Sequence, residues 1–165
     1  MSERVFNVLF LCTGNSARSI LAESYLNAIG RERFRAFSAG SHPTGTVNPF
    51  ALDLLRRNRI PVEGARSKAW DEFAKPDAPQ MDIIITVCDQ AAGEVCPVWP
   101  GRPMTAHWGV EDPAAVQGSD EVKHAAFMKA FSTLQKRIAL LTSLRLESIE
   151  RMAAEQQIRQ IGKER

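Results

Sequence analysis

Cys12 and Arg18 bracket five small or polar residues, Thr13, Gly14, Asn15, Ser16 and Ala17. A turn of this kind can aim successive backbone N–H groups at one point and form a nest for an anion. A helix starting directly after it adds its positive end. Arg18 adds a planar pair of donors that fits a tetrahedral oxyanion. The same field is expected to lower the pKa of Cys12 from its ordinary value of about 8.5, so that a thiolate faces the bound anion. Thr13 through Arg18, together with Ser19, are thus the expected oxyanion-binding residues, and the Ser19 hydroxyl is placed to steady the thiolate. A cysteine and an arginine at this spacing occur often by chance. Their position between an apolar strand and a helix is what gives them weight.

Two further features could take part in chemistry. Asp112 precedes Pro113 in a loop after a weak strand. Expelling an oxygen from an oxyanion requires a proton donor, and a carboxyl on a loop over the nest can be that donor. Glu111 is its neighbouring competitor, and an ordinary Asp-Pro turn is the plain alternative. Cys88 ends the apolar run 82–87 (DIIITV), and Cys96 follows with seven residues between. Two thiols can supply two electrons by forming a disulfide. Core packing is the plain alternative for Cys88. Zinc is disfavoured, because three cysteines without a Cys-x2-Cys pair make a poor zinc site. His42 and His107 have no evident acid partner and are expected to be structural.

Positioning these residues calls for strands that end at one side of a sheet. Residues 5–11 (VFNVLFL) and 82–87 read as strands buried on both faces, 34–38 as a short strand and 103–108 as a weaker one. Helical spacing marks 19–29, stopped by Gly30. It also marks 48–57, with Asn48 as cap and Pro49 at the first helical position, and 121–144. The pattern continues over 146–161 as an amphipathic tail with an apolar stripe of Leu146, Ile149, Met152, Ala153 and Ile158. Strands alternating with helices predict an α/β fold, three layers α/β/α around a four-stranded parallel sheet, with ligands at the carboxyl ends of the strands. Residues 1–145 form the expected domain, and 146–165 a C-terminal helical extension that docks on it. Trp70, Trp99 and Trp108 are expected in the core or at the pocket wall, and Arg31, Arg33 and Arg35 on a solvated face.

The bulk numbers exclude other classes. The chain has 165 residues, enough for one core, and its 21 basic and 19 acidic residues leave a net charge of +2. That balance argues against nucleic acid and membrane surfaces as partners. The first apolar run is too short for a signal peptide or a membrane span. Three cysteines without a secretory signal are expected to be reduced thiols in the cytoplasm.

The stretch CTGNSARSILAE at 12–23 resembles the signature loop of the low-molecular-weight tyrosine phosphatase fold, and more closely that of the arsenate reductases built on it. Ile20 stands where phosphatases usually have proline. FSAGSHP at 37–43 and HWGVEDPA at 107–114 are similar to the same family, over residues 5–142 in all. The resemblance implies reduction of arsenate to arsenite. Cys12 would be the nucleophile, Arg18 and the loop amides the oxyanion site, Asp112 the acid, and Cys88 with Cys96 a thiol–disulfide relay. It implies no bound cofactor, with electrons from thioredoxin or from glutathione and glutaredoxin. Phosphate and sulfate would compete with arsenate, and a monomer is expected. The spacing of Cys88 and Cys96 is one residue longer than is usual in thioredoxin-coupled relatives. Asn15, Ser19, Glu23 and Ser38 match part of a potassium site found in some relatives, but 67–70 lacks the aspartate that would complete it, and no required metal is expected. A phosphotyrosine-type phosphatase, needing only Cys12, Arg18 and Asp112, is the alternative. A non-enzymatic arsenite-binding or redox-sensing thiol protein is a more distant one.

Overall fold

A computed structural model describes residues 4–88, 99, 101–148 and 151–163. Four strands form one sheet: β1 (Phe6–Leu11), β2 (Phe34–Ala39), β3 (Ile83–Thr86) and β4 (Met104–His107). The order is β2-β1-β3-β4 and every pairing is parallel. The helices are α1 (Arg18–Ile29), α2 (Pro49–Arg57), the short α3 (Asp71–Ala74), α4 (Asp120–Ser143) and α5 (Arg151–Ile161).

Side chains alternate across the sheet, as the two-residue period of a strand requires. Phe6, Val8 and Phe10 of β1 point into the larger core, with Ile83, Ile85, Met104 and Ala106 and the buried faces of α1, α2, α4 and α5. Leu9 and Leu11 point the other way, into a smaller cluster with Ile84, Met81, Ala39 and Phe73 of α3. Among the described residues the layers are therefore unequal, with four helices on one face and little more than one helical turn on the other. Four residues are too few to show a helical period, which is why the sequence pattern contains no sign of α3.

The strand order sets the site. The chain runs from β1 outward to β2 on one side, and β3 returns on the other side of β1. The carboxyl ends of β1 and β3 thus form the switch point at which open α/β sheets bind ligands. Leu11 pairs with Thr86 at that end. Cys12 follows the first strand directly, and Cys88 follows the second after Val87.

Three expectations need correction. The tail is not one helix from 146: a 3-10 turn at Leu146–Ser148 precedes α5. Its buried face is Ala154, Ile158 and Ile161, whereas Met152 is 78% exposed. Leu146 and Ile158 of the expected stripe are buried, Ala153 is half-buried and Ile149 lies outside the described residues; Met152 turns outward because α5 lies against β4. Arg33 is not part of a solvated face, since it donates to Thr142 O (2.5 Å) and Leu144 O (2.6 Å) at the end of α4. It thereby satisfies carbonyls that a helix end leaves open.

Candidate active site

The loop after β1 is turned inside out relative to an ordinary turn. Its carbonyls are taken up on the outer side. Thr13 O accepts from His42 N–H (2.9 Å), Gly14 O from Thr44 N–H (3.0 Å) and the Ser67 hydroxyl (3.1 Å), and Ser16 O from Asn48 N–H (2.8 Å). A trans peptide carries its N–H opposite its C=O. The amides of Gly14, Asn15 and Ala17 consequently face the inner side, where α1 begins at Arg18 with no acidic residue in its first turn. Asn15 sits at φ +45°, and its side chain holds that bend in place. Its Nδ2 donates to Ser19 Oγ (2.7 Å), and its Oδ1 accepts from Lys68 N–H (2.9 Å). Ser19 Oγ is thus an acceptor toward Asn15. Gly40, in FSAGSHP, has a steric reason: a Cβ there would lie 2.5 Å from Thr13 O and 2.8 Å from Cys12 O.

Cys12 and Cys88 are brought together at the floor of this loop. Both are buried free thiols. Cys88 Sγ accepts from Thr13 N–H (3.3 Å) and lies 3.5 Å from Thr13 Oγ1. The expected pull of Arg18 and the loop on the Cys12 pKa is present but outweighed. A side-chain hydrogen bond to Cys88 pushes the thiol up, and burial adds to this, against the pull of Arg18 and the Gly14 amide. Two thiols in contact in a dry site favour keeping a proton between them. The sequence shows the cradle's positive field but not the second sulfur placed against the first.

Asp112 and Arg18 also meet. Arg18 Nη2 is 3.6 Å from Asp112 Oδ2, and Arg18 Nη1 donates to Val110 O (2.8 Å). Asp112 Oδ1 accepts from Ala114 N–H (2.9 Å) and caps a 3-10 turn at Pro113–Ala115. The turn-opening role and the position beside the cradle therefore coexist, because a carboxylate has two oxygens to use. The structure brings five expected elements to one place: Cys12, the loop 13–17, Arg18, Asp112 and Cys88. Cys96 and the loop 89–95 lie outside the described residues.

Lys68 is the site residue the sequence reading missed. Its Nζ donates to Arg66 O (2.8 Å) and Ser38 Oγ (3.2 Å) and is 3.9 Å from Glu23 Oε1, while Ser38 Oγ donates to Glu23 Oε1 (2.6 Å). Of the four residues expected to match part of a potassium site, Glu23 and Ser38 thus face an ammonium that belongs to the chain, and Asn15 takes the same lysine's backbone N–H. Burial raises the Glu23 pKa against the pull of Lys68 and Ser38, and lowers that of Lys68 against the pull of Glu23. The available signal was a basic residue in the segment 67–70 where an acidic one was sought. Among the described residues no group of His, Cys, Asp and Glu is arranged to hold a metal ion.

The fold and this site define a class. The family model for low molecular weight phosphotyrosine protein phosphatase matches residues 7–157, and the chain belongs to that family. Within it, the chain is 36% identical over 131 residues to an arsenate reductase of Halalkalibacterium halodurans, covering 79% of this chain and 91% of the relative. Among solved structures it is similar to an arsenate reductase from Archaeoglobus fulgidus, with 26% identity, a TM-score of 0.65, and coverage of 83% of this chain and 99% of the other. The thioredoxin-dependent arsenate reductase of Corynebacterium glutamicum is similar at 25% identity and a TM-score of 0.55, covering 85% of this chain and 65% of the other. No described helix is long and apolar enough to cross a membrane.

Proposed function

We propose that this chain reduces arsenate to arsenite, and that the thiol pair at the switch point performs the reduction. The observation that carries the reading is a second buried thiol, Cys88, beside Cys12 at the floor of the oxyanion cradle, where its Sγ accepts from Thr13 N–H. Hydrolysis of a phosphate ester needs one thiol, whereas a two-electron reduction needs two. The arsenate reductases similar to this chain support the same reading.

Arsenate enters against the inner amides and Arg18, where phosphate and sulfate compete for the same donors. Cys12 passes its proton to an oxygen of the bound arsenate, and its sulfur attacks arsenic. The displaced oxygen departs as water with a proton from Asp112. Cys88 then attacks Cys12 Sγ. The S–As electron pair stays on arsenic, which becomes As(III), and the two sulfurs form a disulfide. Cys96 attacks Cys88, frees Cys12, and leaves a Cys88–Cys96 disulfide for an external dithiol to reduce. Thioredoxin is the proposed donor, in line with the Corynebacterium glutamicum protein, and glutaredoxin with glutathione is the alternative.

The test is arsenite production from arsenate with thioredoxin, thioredoxin reductase and NADPH, using wild type, Cys88→Ser and Cys96→Ser. Turnover by wild type alone is expected. Turnover that persists without Cys96 replaces the three-thiol relay by a glutathione-type route. No turnover with either donor, beside intact hydrolysis of an aryl phosphate, overturns the reading in favour of a phosphatase.

A further inference from the structure

The loop that carries Asp112 is held by groups far away in the chain. Trp108 N–H donates to Thr86 O (2.7 Å) and Val110 N–H to Val87 O (3.0 Å), so the loop leaves β4 still tied to the end of β3. Gly109 O accepts from Arg137 Nη1 (3.0 Å), a buried arginine of α4. Val110 O accepts from Arg18. The indole of Trp108 is fully buried, and its Nε1–H donates to Ile158 O (2.9 Å) near the end of α5. That carbonyl belongs to the last turn of a helix, where no intrahelical donor remains.

α5 is seated on β4 closely enough to fix this geometry. Glu155 Oε2 accepts from Thr105 N–H (2.9 Å), and Arg159 Nε donates to Thr105 O (2.9 Å). Two side chains thereby take the backbone groups that an edge strand leaves unpaired. Gly162 lies so near that a Cβ would be 2.3 Å from His107 O and 2.7 Å from Trp108 Cδ1.

We propose that Trp108 and Arg137 are positioning residues for Asp112, and that α5, by clamping the Trp108 indole, sets the distance of the acid loop from Arg18. Neither residue touches the oxyanion. They act on the Trp108–Val110 backbone, and Asp112 follows two residues later. This proposal rests on the reductase reading above, in which Asp112 protonates the departing oxygen. A misplaced acid slows the chemical step and leaves oxyanion binding intact, since the cradle amides and Arg18 bind the ground state. An error of about 1 Å in a catalytic group can cost as much as about 100-fold.

The experiment compares the full-length wild type with Trp108→Phe, Arg137→Met, Arg137→Lys and Asp112→Asn. Steady-state arsenate reduction gives kcat and KM, phosphate inhibition reports cradle affinity, and thermal unfolding reports the fold. Trp108→Phe keeps the ring and deletes only the donor. A drop in kcat of about tenfold is expected for Trp108→Phe and Arg137→Met, with KM and phosphate affinity within about twofold of wild type. Asp112→Asn gives the same pattern with a larger drop, and Arg137→Lys recovers part of the loss. Wild-type kcat in both Trp108→Phe and Arg137→Met, or a rise in KM and loss of phosphate affinity in place of a fall in kcat, overturns the proposal. Wild-type kcat in Asp112→Asn overturns the acid assignment beneath it. Absence of turnover in wild type overturns the reductase reading itself.

Discussion

The cradle and the acid loop face each other across the ends of β1 and β3 and are held in opposite ways. The cradle's amides and capping side chain lie on one short segment, braced from outside. Asn15 bonds to Ser19 one helical turn on and His42, Thr44 and Asn48 take the outer carbonyls, while Ser67 and Lys68 reach in from 53 positions away. The acid loop takes its hydrogen-bond partners from 28, 50 and 92 positions away: Arg137 and Arg18 donate to its carbonyls, and Ile158 O accepts from the Trp108 indole. A site that binds an anion can be encoded as a compact motif. A site that delivers a proton at the right distance depends on how the remaining elements close around it. Arg18 belongs to both regions, since it faces the cradle and tethers the loop.

Removing that shared residue should have the largest effect. Arg18→Ala deletes the bidentate donor, the Val110 tether and the ion pair with Asp112 together. Arsenate turnover is expected to fall by about 1,000-fold, the upper part of the range for losing an oxyanion donor. A loss confined to KM in steady-state assays would separate the two regions that the comparison joins through this side chain.

Lys68→Met strikes the cradle alone. It leaves the half-buried Glu23 carboxyl without its cation, and unfolding by urea should show a loss of about 1 kcal/mol. Adding Glu23→Gln should return most of that, because a neutral amide needs no counter-charge. If the double variant is as unstable as the single one, the ammonium is not the partner that matters.

Cys88→Ala probes the contact between the strand ends. The Cys88 hydrogen bond is the largest cause raising the Cys12 pKa. Its removal leaves Arg18 and the Gly14 amide opposing burial, so the pH midpoint for iodoacetamide labelling of Cys12 should move down. An unchanged midpoint would place the cause in burial alone.

The smallest effect is expected outside both regions. A hydrogen bond from Arg66 holds the Glu72 carboxyl below its ordinary value of 4.5. A depressed carboxylate adds stability above that pH and loses it as the pH falls through the folded value. The two side chains are 57% and 39% exposed, so screening leaves a few tenths of a kcal/mol, about 0.3, for Glu72→Gln at neutral pH and nothing in strong salt. A larger loss would mean that this surface pair supports the nearby Lys68 cluster.

Much of the fold was legible in the sequence because its signals are local and periodic. β1 and β3 are apolar runs bounded by polar residues. α2 shows Asn48 and Pro49, and the Asn48 side chain does accept from Phe50 N–H (2.8 Å). The tail's helical period was equally visible, but only part of its inward face, Leu146 and Ile158. Met152 looks as apolar as Ile158, and only docking against β4 decides which of them is covered.

The sequence by itself determined the cradle's residue types, the placement of Cys12 and Cys88 at strand ends, and the parallel α/β architecture. Each follows from spacing along one short segment. The tertiary structure alone decided that Cys88 lies against Cys12 and raises its pKa, that Lys68 fills the pocket beside Glu23, and that Trp108 is clamped by α5. These contacts join residues separated by roughly 40 to 80 positions, and neither propensity nor period carries information over that separation. They are fixed only when the strands take the order β2-β1-β3-β4 and the helices bury their faces on it.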